Sequence, residues 1–143
     1  MAKVVAVNIS ATKGVIKEPI EKGYFAFNHG LEGDAHAGDW HRQVSLLSQE
    51  SIDKMTASGA DNLSAGKFAE NLTTEGIVLY ELPIGTKLKI GETEMEVTQI
   101  GKECHKGCAI RELVGDCVMP REGIFAKVLV PGWIKAGDEI III

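Results

Sequence analysis

The sequence predicts a mainly β fold, a closed or nearly closed β-barrel with a few short helices, and three observations carry that prediction. Sixteen glycines against four prolines punctuate short apolar segments, as in a chain of many strands joined by tight turns. Lys87-Leu88-Lys89-Ile90 and Glu94-Met95-Glu96-Val97-Thr98 alternate polar and apolar residues around Gly91-Glu92-Thr93, the pattern of a hairpin. Four isoleucines, Ile140 to Ile143, require cover on both faces because an exposed edge of that composition aggregates, and a closed sheet supplies the cover.

In chain order, Lys3 to Ala11 is rich in Val and Ile and ends at Thr12-Lys13-Gly14, an opening strand followed by a turn. Val15 to Ile20 is expected to pair near it. Phe25 to Gln43 holds glycines, three histidines and three acidic residues without periodicity, the composition of a long irregular or functional loop. Val44 to Leu47 reads as a strand. Ser48 then stands where an N-cap belongs, ahead of Ile52 and Met55 at helical spacing, so a helix is expected over Gln49 to Thr56. A second short helix is expected around Ala65 to Glu70, with Gly66 weakening it. Phe125 to Val130 and Glu139 to Ile143 read as further strands linked through Pro131 to Asp138.

The 143 residues fit one domain, expected over 1–143. Fifteen basic against twenty acidic side chains give a net charge of −5, which argues against a general nucleic-acid or anionic-membrane binder. No stretch free of Asp, Glu, Lys and Arg exceeds nine residues, so no membrane span is expected. The apolar run Val4 to Val7 is too short for a secretory signal, and the expected location is cytoplasmic.

An odd count of three cysteines, in a chain without an export signal, points to thiols or ligands and not to a disulfide framework. Cys104, Cys108 and Cys117 are spaced C-x3-C-x8-C, which is neither a zinc ribbon nor a standard iron–sulfur run. A thiolate is the reactive form, and it needs nearby positive charge or backbone N–H groups. Lys102, His105, Lys106 and Arg111 surround Cys104 and Cys108, although Glu103 and Glu112 offset them in the count. Cys104 follows the hairpin strand into a loop and ranks first, Cys108 second and Cys117 third.

Asp34, His36, Asp39 and His41 place four potential ligands within eight residues. They read either as a metal or proton-transfer site or as turn-capping groups in a Gly-rich loop. Arg42, Lys102, Arg111 and Arg121 are candidates for a phosphate clamp, Arg offering a planar fork of donors; the alternative is solvated surface. Trp40 and Trp133 read as a heterocycle wall or as packing at the barrel end.

Taken together, Gly30-Leu31-Glu32-Gly33-Asp34 with His36, Gln43 to Leu47, Phe68 to Ile77, Gly85 to Ile90, and Val97-Thr98-Gln99 ahead of Cys104 resemble the MOSC domains, named for the C-terminal domain of molybdenum cofactor sulfurase. The resemblance spans nearly the whole chain. It implies a β-barrel related to that of pyruvate kinase, and a cysteine, here Cys104, that carries sulfur or binds molybdenum in a pterin cofactor. His105 and Lys106 would stabilise its anionic form. Many members place Pro before this cysteine; Glu103 stands here, and a neighbouring carboxylate disfavours the thiolate. For Asp34 and His36 the resemblance favours lining of the ligand pocket over metal binding; Arg42, Lys102, Cys108, Arg111 and Arg121 are the further candidates for contacting the cofactor, and Asn71 and Thr73 read as hydrogen-bonding a pterin edge or as local turn chemistry.

The function expected from this resemblance is molybdenum-cofactor binding with a sulfur-carrier or sulfurtransferase role. A molybdenum-dependent reductase of N-hydroxylated compounds and a non-catalytic pterin-delivery module are the alternatives. The large members carry a separate pyridoxal-phosphate desulfurase domain, so no pyridoxal phosphate is expected on this chain. A sulfur donor such as a cysteine desulfurase and a molybdoenzyme acceptor are the expected partners.

Overall fold

The computed structural model describes residues 2–12, 15–57, 66, 68–101 and 122–143. The described part is mainly β, with one α-helix and one short 3-10 turn at Leu79–Glu81. Strand β1 (Lys3–Ile9) buries Val4 and Val7 and carries a register shift between Val4 and Ala6. β2 (Glu18–Ile20) pairs antiparallel with its second half. β3 (Lys22–Ala26) and β4 (Gly30–Leu31) form part of a separate small sheet. The predicted loop over Phe25 to Gln43 is therefore partly ordered: Gly30, at φ +110, turns the chain so that Gly30 and Leu31 pair with Ala26 and Phe25.

β5 (Val44–Ser48) is buried along its whole length, which explains its unbroken apolar run. It leads directly into α1 (Gln49–Ala57), and Ser48 caps that helix as expected, its hydroxyl accepting the Ser51 N–H at 3.1 Å. β6 (Leu72–Glu75) runs parallel to β5, an arrangement that requires a crossover, and α1 lies on it. The second predicted helix is not found at its described positions. Gly66 has φ +88 and Ala69 φ +63, and the chain there turns to deliver β6.

β7 (Lys87–Ile90) and β8 (Thr93–Ile100) make the predicted hairpin, and β8 continues into pairing with β9 (Ile124–Val130). β10 (Gly132–Lys135) occupies a segment read from sequence as a link and pairs with β3. β11 (Ile140–Ile142) pairs with β7.

The large sheet has the order β11-β7-β8-β9-β5-β6-β1-β2 and is open, which corrects the expected closed or nearly closed barrel. The reason lies in β1. One of its sides is taken by β6; on the other, Val7 to Ile9 pair with β2, and toward β11 there is no ladder but the isolated bridge of Lys3 with Glu139 and backbone bonds of Ala2 and Val4 to Ile140, Gly137 and Asp138. The terminal isoleucines are likewise not covered on both faces: Ile140 is buried, whereas Ile141, Ile142 and Ile143 are 44%, 56% and 56% exposed. Between the sheets, Phe25, Leu31, Val44, Leu46, Leu72, Met95, Val97 and Ile134 belong to one continuous core. Among the described residues no helix is long and apolar enough to cross a membrane.

Candidate functional site

Beneath this apolar core, β1, β5 and β6 present a second interior that is polar. Asn8, Lys17, Asp34, Glu70, Asn71 and Thr73 are all buried there. Burying so many polar groups is tolerable only when each finds partners, and most of them do. Asn8 donates its side-chain amide to the Glu70 carbonyl at 3.1 Å and to the Thr73 hydroxyl at 3.0 Å. Asn71 accepts the Ser45 N–H at 3.0 Å and donates to the Asn8 carbonyl at 3.3 Å, stitching β1 to β5.

Glu70 is enclosed by donors. The Thr73 hydroxyl lies 2.7 Å from Oε2, the Gly66 N–H 3.2 Å from the same oxygen, and the Phe68 N–H 3.2 Å from Oε1. Burial nevertheless outweighs these bonds and pushes its carboxyl up to about 6.

Asp34 behaves in the opposite way. Burial alone would raise it, but the bond and charge of Lys17, the Ser10 N–H and the Asn71 side chain together hold it below the ordinary aspartate range. Lys17 Nζ stands 2.7 Å from Asp34 Oδ1, and both side chains are wholly buried. The same ammonium lies 3.1 Å from His36 Nδ1. Asp34 Oδ2 accepts the His36 N–H at 3.1 Å, and the Trp40 indole donates to the His36 carbonyl at 2.8 Å, so the backbone of His36 is pinned from both sides.

Of the residues proposed from sequence, Asp34, His36 and Asn71 thus meet around Lys17, and Thr73 joins them through Glu70 and Asn8. Asp39 and His41 do not. Asp39 accepts from Asn28 at 2.9 Å, His41 Nε2 pairs with Gln99 at 2.9 Å, and the His41 carbonyl accepts the Thr98 hydroxyl. Among the described residues no three His, Cys, Asp or Glu side chains gather to hold a metal; of the four candidate ligands Asp34 and His36 meet at Lys17, while Asp39 and His41 lie apart from them with partners of their own.

Arg42 stacks its guanidinium over Trp40, 4.7 Å from the ring centre, with Phe125 at 5.6 Å. Its buried Nε has no hydrogen-bond partner among the described residues. Trp133 is 45% exposed, meets Tyr24 edge-on with ring centres 5.3 Å apart, and helps line a groove of about 550 Å³ with Lys22 and Lys89, at the Gly91 end of β8 and away from Gln99. Lys102, Cys104, His105, Lys106, Cys108, Arg111, Cys117 and Arg121 lie outside the described residues.

Sequence reasoning missed Lys17, Glu70 and Asn8. Glu70 stands inside the Phe68 to Ile77 block that carried the family resemblance, which was a usable signal; Lys17, in the segment Val15 to Ile20, offered none.

With an open eight-stranded sheet, a small second sheet and a buried polar centre that includes Asp34, the fold is a mainly β module. The chain matches the MOSC domain over residues 33–141 and belongs to that family. No curated protein matches the sequence. Its fold is similar to that of the YuaD protein from Bacillus subtilis, with a TM-score of 0.80 at 20% identity over 98% of this chain and 94% of that one. YiiM from Geobacillus stearothermophilus is similar at TM-score 0.79 and 19% identity, covering 100% of this chain and 75% of its own. YiiM from Escherichia coli gives 0.74 and 19%, covering 100% and 70%.

Proposed function

We propose that this protein binds a molybdenum cofactor and carries sulfur for it on Cys104. The observation that carries the reading is membership of the MOSC family over a span containing both Asp34 and Cys104. Residues 1–143 act as one unit in this proposal.

The described residues fit such a ligand at Arg42. A buried guanidinium nitrogen without a partner calls for an acceptor, and stacking on Trp40 fixes the plane of the donor fork. Arg42 would hold a phosphate oxygen, with Lys102, Arg111 and Arg121 as further donors and Cys108 as a second thiol. Asn71 and Thr73 are fully buried and bonded within the protein, so they act through the Asp34 segment. When bound, the cofactor supplies a molybdenum centre that takes up sulfur or removes oxygen from a substrate.

The chain's own chemistry is a thiol exchange. The Cys104 thiolate attacks the outer sulfur of a donor persulfide, a new S–S bond forms on Cys104, and the donor leaves as its thiolate, with no net oxidation. His105 and Lys106 supply the positive charge that favours the thiolate against Glu103. The donor is a cysteine desulfurase and the acceptor a molybdoenzyme.

Protein purified from a molybdate-supplied host and incubated with a cysteine desulfurase and cysteine tests this. Cyanide-releasable sulfur near one per chain, lost in Cys104→Ser, is the expected result. Stoichiometric zinc, or no releasable sulfur, overturns it. Stoichiometric molybdenum without releasable sulfur replaces it with the reductase, and pterin binding that survives Cys104→Ser without any sulfur replaces it with the delivery module.

A further inference from the structure

We infer that Lys17 is a positioning residue: paired with Asp34, it holds His36 as a neutral imidazole protonated on Nε2, a hydrogen-bond donor toward an oxyanion. The ligand class rests on the cofactor reading above; the tautomer rests on geometry alone.

A lysine ammonium has three donors and no acceptor. With Asp34 Oδ1 at 2.7 Å in a wholly buried pair, the ammonium form of Lys17 is the one the surroundings favour. An ammonium 3.1 Å from His36 Nδ1 must therefore be donating to that nitrogen. Asp34 Oδ2 also faces Nδ1, but at 3.9 Å it is beyond hydrogen-bond reach, so with Lys17 donating to it Nδ1 keeps its lone pair and the proton of the neutral ring is on Nε2.

The rest of the segment is built to keep this arrangement. Asp34 binds Lys17 with one carboxylate oxygen and the His36 backbone with the other. Lys17 is in turn fixed by its own N–H, which donates to the Gly66 carbonyl at 2.8 Å. The His36 side chain is 26% exposed, unlike those of Lys17 and Asp34, so the ring spans the boundary between the buried polar centre and the surface. A ring in this state has its N–H at Nε2, with neither a base at Nδ1 nor a positive charge. That suits holding phosphate or molybdate oxygens, and it does not suit proton abstraction.

The experiment is ¹⁵N NMR of histidine-labelled full-length protein at pH 7.5, with His36 assigned by the signal missing in His36→Gln. The expected wild-type pattern is an unprotonated Nδ1 and a protonated Nε2. Lys17→Met should lose this single-tautomer pattern, Lys17→Arg should restore it, and molybdate titration should shift the Nε2 signal. An Nδ1–H tautomer or imidazolium in the wild type overturns the inference, as does an unchanged pattern in Lys17→Met; where that variant does not fold, the wild-type pattern and Lys17→Arg decide. An Nε2 signal that molybdate leaves unmoved overturns the oxyanion role. Cyanide-releasable sulfur at Cys104 is scored separately, so loss of the sulfur reading with the His36 pattern intact is distinguishable from loss of this one.

Discussion

Lys17 Nζ and Asp34 Oδ1 lie 2.7 Å apart with neither side chain in contact with solvent. A pair like this gains little overall from its own attraction, because both charges have left water; what it does is make removal of either partner costly. Lys17→Met should destabilise the protein by about 3–5 kcal/mol, since it leaves the Asp34 carboxylate buried with only amide donors. Asp34→Asn should cost less than Asp34→Ala, because its amide oxygen still accepts the Ser10 or His36 N–H. Urea unfolding read at constant m-value checks both orders.

Glu70 should make the protein more stable in mild acid. Its carboxyl sits at about 6 in the folded protein against 4.5 in the unfolded chain, so the folded state holds the proton more tightly. The associated stability is fully present below pH 4.5 and is lost as pH rises through about 6. The gap between those values corresponds to about 2 kcal/mol. Asp34 has the opposite sign: its stability is present above 3.8 and disappears as pH falls below that. Urea midpoints should therefore climb from pH 7 to 4.5 and drop at lower pH. In Glu70→Gln the climb should flatten while the drop persists; a climb of undiminished size would remove Glu70 as its cause.

What the sequence made readable follows from how local each signal was. The β7–β8 hairpin and α1 announce themselves within a dozen residues, through alternation and through the Ser48 cap, and both form where expected. β6 was hidden because Leu72-Thr73-Thr74 is short and its strand state depends on pairing with β5, more than twenty residues away. β10 was hidden for the same reason, its partner β3 lying at Lys22–Ala26. The open sheet was hidden too, because it depends on β1 giving Val7–Ile9 to β2 while its start meets the β11 end of the sheet only through an isolated bridge, long-range pairings that no single segment records. The site divides in the same way. Asp34 and His36 stood out as chemistry on a glycine-rich loop, but the burial of Lys17 and Glu70 is decided by Asp34, Thr73 and Gly66, which the fold brings to them.

Gly66 should tolerate no side chain. Its φ of +88 lies in the left-handed region, and an added Cβ would collide with the Lys17 carbonyl oxygen, which is backbone and has nowhere to yield. Gly66→Ala should lose more than about 2 kcal/mol, strain and collision acting together. Because the collision falls on residue 17 itself, the His36 tautomer pattern should change with it. A Gly66→Ala protein with wild-type stability and an unaltered His36 signal would show that the backbone contact is not a constraint.

Ser48 should be worth more than its size. Its hydroxyl accepts the Ser51 N–H at 3.1 Å and donates to the Ser51 hydroxyl at 2.9 Å, satisfying one of the orphan donors at the start of α1 in a buried setting. Ser48→Ala removes that acceptor without altering the strand that precedes it, and should cost about 1 kcal/mol. Ser48→Thr keeps an oxygen in reach of the same N–H and should recover most of the loss. Since the Ser51 hydroxyl also donates to Glu122 at 2.5 Å, the Ala variant should loosen that bond as well. Amide exchange at Ser51 is the direct measure: protection should fall in Ser48→Ala and return in Ser48→Thr, whereas equal protection in all three proteins would mean that another group caps the helix.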